Sequence, residues 1–375
     1  MKKEILEFIE QHQTEAIAVL QELGKIPAPS HQEDRRAEYC LNWFRDNGCP
    51  DAYIDEAKNV ICRLETVPGE PFTVFMAHMD VVFPDTEPLP MTRTGSILAA
   101  PGIGDDTASL VSLMFGLRYV LQHRDALRHN FMIVANSCEE GLGNLDGTKQ
   151  IFRDHGHEIA RFYSFDGYIG GVTNTPVGSH RYRITVKTQG GHSYGDFGRD
   201  NAIEIMARII SELYAIVPPA ESYTTYNVGT IEGGSTVNSI AQRCAILYEY
   251  RSDNDGCLQT MKGYLDEILQ AWQAKGYDVQ CELLGVRPGM GAMDMAALQA
   301  FTEQNVSWIR ECWNGEVKCR AASTDANIPL SMGIPGNTIG TITGQGAHTR
   351  EEWIDLDSLP TAMAVVLNIL DHQMN

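Results

Sequence analysis

The stretch FTVFMAHMDVV, residues 72–82, constrains the fold more than any other. Its apolar residues are consecutive rather than alternate, so a strand here must be covered on both faces. Comparable runs recur at NVICRLE, NFMIVANSC and RFYSF. Helical patterns separate them, over about 3–23 and 31–47, from Thr107 (TASLVSLMFGLRYVLQ) and near 147–155. Strands apolar on both faces that alternate with helices imply an α/β layered sheet.

The rhythm changes after GGVTNTPVG. SHRYRITVKTQ alternates with period two, NAIEIMARIISELYAIV is helical, and YTTYNVGTIEGG and SIAQRCAILYEYRS are two strand patterns joined by a Gly-rich turn. LQTMKGYLDEILQAWQAKG then reads as a helix and DVQCELLG as a strand. That order, β-α-β-β-α-β, is a ferredoxin-like unit. The layered pattern returns with a helix over about 294–313, strands near VKCRAA and GNTIGTI, and a last helix over about 356–373. The expected fold is therefore α/β: a layered domain with a central mixed sheet flanked by helices, residues 1–177 and 291–375. An inserted ferredoxin-like α+β lid, residues 178–290, interrupts it. A chain of 375 residues is too long for one ordinary core, which agrees with two domains.

The formal charge is −20 at pH 7, a surface that repels polyphosphate, so nucleic acid is excluded as an expected partner. The nine cysteines are odd in number and contain no C-x-x-C pair, which argues against a disulfide framework or a thiolate zinc site. Reduced, mostly buried thiols fit a cytoplasmic protein. The N-terminal MKKEILEFIEQHQTEAIAVLQELGKIP carries acidic residues through its apolar positions and reads as an amphipathic helix, not a signal peptide. No apolar run reaches the ~18 residues that a membrane span requires, so no membrane partner is expected.

Five polar spots fall at strand ends or in the loops that follow, where open α/β sheets gather ligands. His78 and Asp80 close the first stretch. A lone His-x-Asp is weak evidence, but the spacing lets a carboxylate brace one imidazole nitrogen while the other binds a metal. PGIGDDTASL places Asp105 and Asp106 at a helix start, where capping is the plain alternative. ANSCEEGLG sets Glu139 beside Glu140 directly after a strand, an arrangement that is unfavourable without a nearby cation. FDGY supplies Asp166, and GQGAHTREEW supplies His348. Two histidines and three carboxylates, one of them bridging, make two three-ligand sites with room for water. Imidazole with carboxylate suits Zn²⁺, with Co²⁺ or Mn²⁺ as substitutes.

At this point the motifs resemble a known family, the co-catalytic zinc peptidases and amidohydrolases that include tripeptide aminopeptidase, glutamate carboxypeptidase, aminoacylase and succinyl-diaminopimelate desuccinylase. HMDVV, GIGDDTASL, SCEEGLG, FDG, GGHSYGDFGRDNAI, GGSTVNSI, STDANIPLSMGIP and GAHTREEW occur in the family's order. STDANIP and HTREEW are most similar to the tripeptide-aminopeptidase and dipeptidase-like branch. The resemblance implies two Zn²⁺ per subunit, one held by His78, Asp105 and Asp166 and the other by Glu140, His348 and the same Asp105. It implies Glu139 as general base and Asp80 as the brace on His78. It implies that His192 in GGHS donates to the oxyanion, reaching the active site of a neighbouring subunit, and that Asn238, Arg251 and, less directly, Arg287 grip the polar end of the substrate.

The function so implied is hydrolysis of an amide bond in short peptides, amino- or dipeptidase-like. The water is activated between the ions, Glu139 takes its proton, and the lid closes on hinges near 175–178 and 288–291. Within hydrolysis, an N-acyl amino acid amidohydrolase (aminoacylase or deacetylase) is the alternative. Outside it stands a catalytically silent metal-binding relative. The lid's edge strands and amphipathic helices imply a homodimer.

Overall fold

In the computed structural model, which describes residues 1–375, every residue of the strand Phe72–His78 is buried. It pairs in parallel with Asn130–Asn136 on one side and Ile159–Phe165 on the other, and Gly336–Ile339 continues the parallel run beside Ile159–Phe165. These four strands form the middle of an eight-stranded sheet. Val60–Leu64 and Gly171–Pro176 add antiparallel neighbours, so the sheet is mixed, with Tyr53–Ile54 and Lys318–Ala322 at its edges. Apolar packing holds the middle: the Phe75 ring stacks on Tyr163 and tilts against Phe131, both with centroids 4.9 Å apart. The helices Lys3–Leu23, Ala108–Gln122, Met295–Cys312 and Leu359–Met374 pack on one another, and Ala108–Gln122 and Met295–Cys312 lie against this sheet.

Because the middle strands run the same way, their carboxyl ends line one edge. His78 stands in register with Asn136, and Ile339 with Phe165. That edge is where side chains from several loops can converge. A second, four-stranded sheet of Gly344–Gln345, Trp353–Asp355, Ile97–Ala99 and Thr92–Thr94 escaped the sequence reading. Its strands are two or three residues long, too short to show a period. The last helix begins at Leu359, three residues later than expected, because Leu356–Ser358 forms a 3₁₀ turn.

By its internal contacts the chain divides into two units, Met1–Thr175 with Gly291–Asn375, and Pro176–Met290. The inserted unit has an antiparallel sheet in the order Thr224–Gly233, Arg243–Ser252, Gly178–Lys187, Asp278–Arg287. Its period-two pattern follows from one-sided burial. Tyr182, Ile184 and Val186 join Ile246, Tyr248 and Tyr250 in a core shared with the helices Ala202–Leu213 and Asp255–Ala274. Arg181, Glu249 and Arg251 take the intervening positions on the opposite face. A short ribbon, Gly191–His192 paired with Ser239–Ile240, completes the unit.

The expectation of reduced thiols fails at one pair. Cys49 and Cys62 form a disulfide, with Cα atoms 6.4 Å apart. The helix Asp34–Asp46 packs on the strand Val60–Leu64, and this brings two cysteines together that their sequence spacing does not mark as partners. The other seven are free, and Cys40, Cys138, Cys244 and Cys257 among them are buried. No helix is long and apolar enough to cross a membrane.

Candidate metal centre

The loops that leave the carboxyl edge of the large sheet bring His78, Asp105, Glu140, Asp166 and His348 together. His78 ends its strand and is fully buried. Asp166 directly follows Phe165 and is fixed there by its N–H, which donates to the Ile339 carbonyl at 3.0 Å. Asp105 lies in the tight segment Ile103–Thr107 ahead of the helix Ala108–Gln122, joined to Asp106 by a cis peptide bond. Neither aspartate caps that helix, so the capping alternative is set aside. His348 stands in a loop with φ of 63°.

The Asp105 carboxylate faces two imidazoles at once. Its Oδ1 lies 3.2 Å from His78 Nε2 and its Oδ2 lies 3.2 Å from His348 Nε2. Glu140 Oε2 is also 3.2 Å from His348 Nε2, and Asp166 Oδ1 is 3.9 Å from His78 Nε2. Asp106 turns inward instead. Its Oδ2 accepts from the His78 N–H at 3.2 Å, although its carboxylate also stands near His78 and Asp166.

These groups fit divalent cations. Two ligands each about 2.0–2.1 Å from a tetrahedral zinc lie about 3.3 Å apart, close to the spacings found here. The charges point the same way. Four carboxylates (Asp105, Asp106, Glu140 and Asp166) surround two imidazoles. Burial, followed by the Asp105 charge, pushes Asp166 up to about 8. Burial also raises Asp106 and Glu140. Asp105 and then Glu140 push His348 up to about 11, and Asp105 and Asp80 outweigh burial to raise His78. Glu140 Oε1 and Asp106 Oδ1 are buried without a hydrogen-bond partner. Acids that resist ionisation beside imidazoles that hold their protons form a site short of positive charge, which a cation would supply. The donors are nitrogen and oxygen with no thiolate, the set that suits zinc.

Two groups of three could each hold an ion, His78 with Asp106 and Asp166, and His78 with Asp105 and Glu140; Glu139, also buried, precedes Glu140 but belongs to neither. Asp80 does more than its sequence position suggests. The backbone carbonyl of Asp80 lies 3.0 Å from His78 Nδ1, and its carboxylate lies farther off, at 3.4 Å. That carboxylate instead accepts the N–H groups of Glu139 and Glu140, both at 2.9 Å, and the Ser30 hydroxyl at 2.7 Å. The strand has ended at His78, so the same-face geometry of positions i and i+2 no longer governs Asp80.

Several supporting residues were not legible beforehand. Glu33 Oε1 accepts the N–H groups of His31 at 2.9 Å and Cys138 at 3.1 Å. Arg36, fully buried, donates to the carbonyls of Ile26 and Met79, both at 2.8 Å, and to Thr107 Oγ1 at 3.2 Å. In EDRRAEYC both read as the solvated face of a helix.

The remaining sequence candidates lie in the inserted unit. Ser193 N–H donates to the Asn238 carbonyl at 3.0 Å, which sets Asn238, in the turn before Ser239–Ile240, beside the strand that carries His192. Arg251 and Arg287 both stand in register with Ser179. Arg251 holds Glu249 through two hydrogen bonds of 2.9 and 3.1 Å, and Arg181 donates to the same carboxylate at 3.2 Å.

The clamp formed by Asp80 generates a prediction. An Asp80→Asn amide must turn an NH₂ toward a backbone N–H, which loosens the Glu139–Glu140 turn. Hydrolytic activity or zinc affinity is expected to fall by about 10–100-fold, as outer-sphere substitutions do. Kinetics and zinc titration on the folded variant check this, and wild-type values for both would refute the clamp.

Known proteins share this architecture. The chain matches peptidase family M20/M25/M40 over residues 74–372. The succinyl-diaminopimelate desuccinylase of Corynebacterium glutamicum is 24% identical over 366 residues, covering 94% of this chain and 95% of that protein. Among solved structures, a tripeptidase from Staphylococcus aureus superposes with a TM-score of 0.74 at 19% identity, covering 96% of this chain and 98% of that one. The aminopeptidase PepT of Bacillus cereus gives 0.69 at 20% identity, covering 97% and 99%. These two likenesses establish the fold, while the family match spans most of the sequence and includes each residue of the cluster. The chain belongs to peptidase family M20/M25/M40 and is a metal-dependent hydrolase.

Proposed function

We propose that the protein hydrolyses an amide bond of short peptides, as an amino- or dipeptidase, at a centre of two zinc ions. His78, Asp105 and Asp166 would hold one ion, and Glu140, His348 and Asp105 the other. The observation that carries this reading is the Asp105 carboxylate, whose two oxygens each lie 3.2 Å from a different histidine. When bound, the ions supply Lewis acidity and a water acidic enough to ionise near neutral pH. Glu139 takes the proton of the attacking water and returns it to the leaving amine, a role open to it because the ligand clusters use Glu140 and not Glu139. Asp80 holds both glutamates through their backbones and orients His78 through its carbonyl. His192 donates to the oxyanion of the transition state. Asn238, Arg251 and Arg287 bind the polar end of the substrate.

A second reading has its own support. The Corynebacterium relative is by name a desuccinylase, which favours hydrolysis of N-acyl amino acids at the same centre. A panel of di- and tripeptides against N-acetyl and N-succinyl amino acids separates the two, and peptides are expected to be cleaved faster. The silent-relative alternative loses its ground with membership of a hydrolase family.

The general-base role predicts that Glu139→Ala retains two zinc ions and loses activity by about 10²–10⁴-fold, the usual contribution of such a group. Full turnover by a zinc-loaded Glu139→Ala protein would sink the mechanism. The reading of His192 requires a homodimer, so light scattering at micromolar concentration is expected to give twice the chain mass. A monomer that is fully active removes His192 from catalysis across subunits.

Metal removal is expected to change the response to pH. Asp166 has an ordinary value of 3.8 and a folded value of about 8, so its contribution is complete below 3.8 and is lost as pH rises through 8. The raised histidines act in the same direction, their contribution falling above 6.5. Asp105 is lowered by His348 and His78 against burial, and its contribution is lost only as pH falls below the ordinary carboxylate range. Chelator-stripped protein should therefore lose stability between pH 5 and pH 8. The rise in Tm on adding zinc should grow over that interval, since protons also compete with the metal less. Thermal unfolding at several pH values checks this, and a zinc increment that shrinks toward pH 8 would contradict it.

A further inference from the structure

Glu352 is fully buried, and its carboxylate meets the backbone of Gly102, Gly104 and Asp105. Its Oε2 accepts the Gly102 N–H at 2.6 Å, and its Oε1 accepts the Gly104 N–H at 3.0 Å and the Tyr168 hydroxyl at 3.3 Å. Gly102 and Gly104 lead directly into Asp105. The same residue closes the loop of His348, because its own N–H donates to the Thr349 carbonyl at 3.4 Å. Its carbonyl accepts the Ala100 N–H at 3.0 Å, a second tie to the chain ahead of Asp105. The fit leaves no slack. A Cβ on Gly104 would lie 3.0 Å from Glu352 Oε1 and 2.9 Å from the Tyr168 ring.

We propose that Glu352 is a positioning residue for the metal centre, fastening the segment that carries Asp105 to the loop that carries His348. The inference rests on the two-ion reading above. Asp105 belongs to both proposed ligand sets, so a shift of its backbone disturbs both ions. The Asp80 clamp, by contrast, acts on Glu139 and Glu140. Hydrogen bonds from backbone N–H groups that converge on one buried carboxyl group are directional, which suits a rigid fastening. An amide at this position accepts one of the two N–H groups and presents its own NH₂ to the other, so Glu352→Gln opens the clamp at nearly constant volume.

The test is metal binding by the full chain, stripped by chelator and titrated with zinc against a chromophoric competitor and with Co²⁺ by visible absorption. Glu352→Gln is expected to fold, to bind zinc about 10–100-fold more weakly and to show an altered cobalt spectrum. Its kcat should fall while KM stays near wild type. A merely structural role would lower the Tm of stripped protein without changing the zinc affinity or the cobalt spectrum of folded molecules, and that result overturns the proposal. Should Glu352→Gln fail to fold, Gly104→Ala displaces the same carboxylate with one methyl group. Weaker zinc binding in that variant supports the clamp, and wild-type affinity overturns it. Asp105→Asn serves as the reference: if it binds zinc like wild type, the two-ion centre itself falls, and the clamp with it.

Discussion

A single carboxylate shared by two imidazoles governs this structure. Asp105 faces His78 with one oxygen and His348 with the other, each at 3.2 Å. His78 belongs to the central parallel strand and His348 to a loop about 270 residues later in the chain, so this carboxylate joins the two ends of the layered unit. The rest of the site can be understood as what keeps that carboxylate and its neighbours in place.

Buried acids do much of that work, and they do it through backbone. Asp80 accepts the N–H groups of Glu139 and Glu140, Glu33 those of His31 and Cys138, and Glu352 those of Gly102 and Gly104. An ionised carboxylate is strongly unfavourable in an apolar interior unless several donors converge on it, and turns just past strand ends have N–H groups to offer. The pairing therefore solves two problems at once. It satisfies the turns that must carry the ligands, and it makes loop positions as definite as strand positions. Arg36 complements these acids by donating to the carbonyls of Ile26 and Met79.

Much of this was readable in advance for particular physical reasons. FTVFMAHMDVV is apolar on both faces, as a covered parallel strand between helices requires, and its end marks where ligands collect. The inserted unit was legible because Tyr182, Ile184 and Val186 alternate with polar residues, as one-sided burial demands. The small sheet that carries the His348 loop was not legible, since strands of two or three residues have no period. Glu33, Arg36 and Glu352 were missed because charged residues in a helix start or a loop look solvated until the fold buries them. The Cys49–Cys62 bond was missed because the helix-on-strand packing that joins the two leaves no mark in their spacing.

By itself the sequence determined the layered fold, the inserted unit and the identity of the polar residues at the strand ends. Hydrophobic period and residue chemistry are local properties, and each is written in a few adjacent letters. The resemblance already names Asp105 as the shared residue; only the tertiary structure decided that its two oxygens each stand 3.2 Å from a different histidine, and that Asp80 spends its carboxylate on the Glu139–Glu140 backbone. Those outcomes depend on distances of about 3 Å between segments far apart in the chain, at which one carboxylate oxygen meets a partner and its neighbour does not.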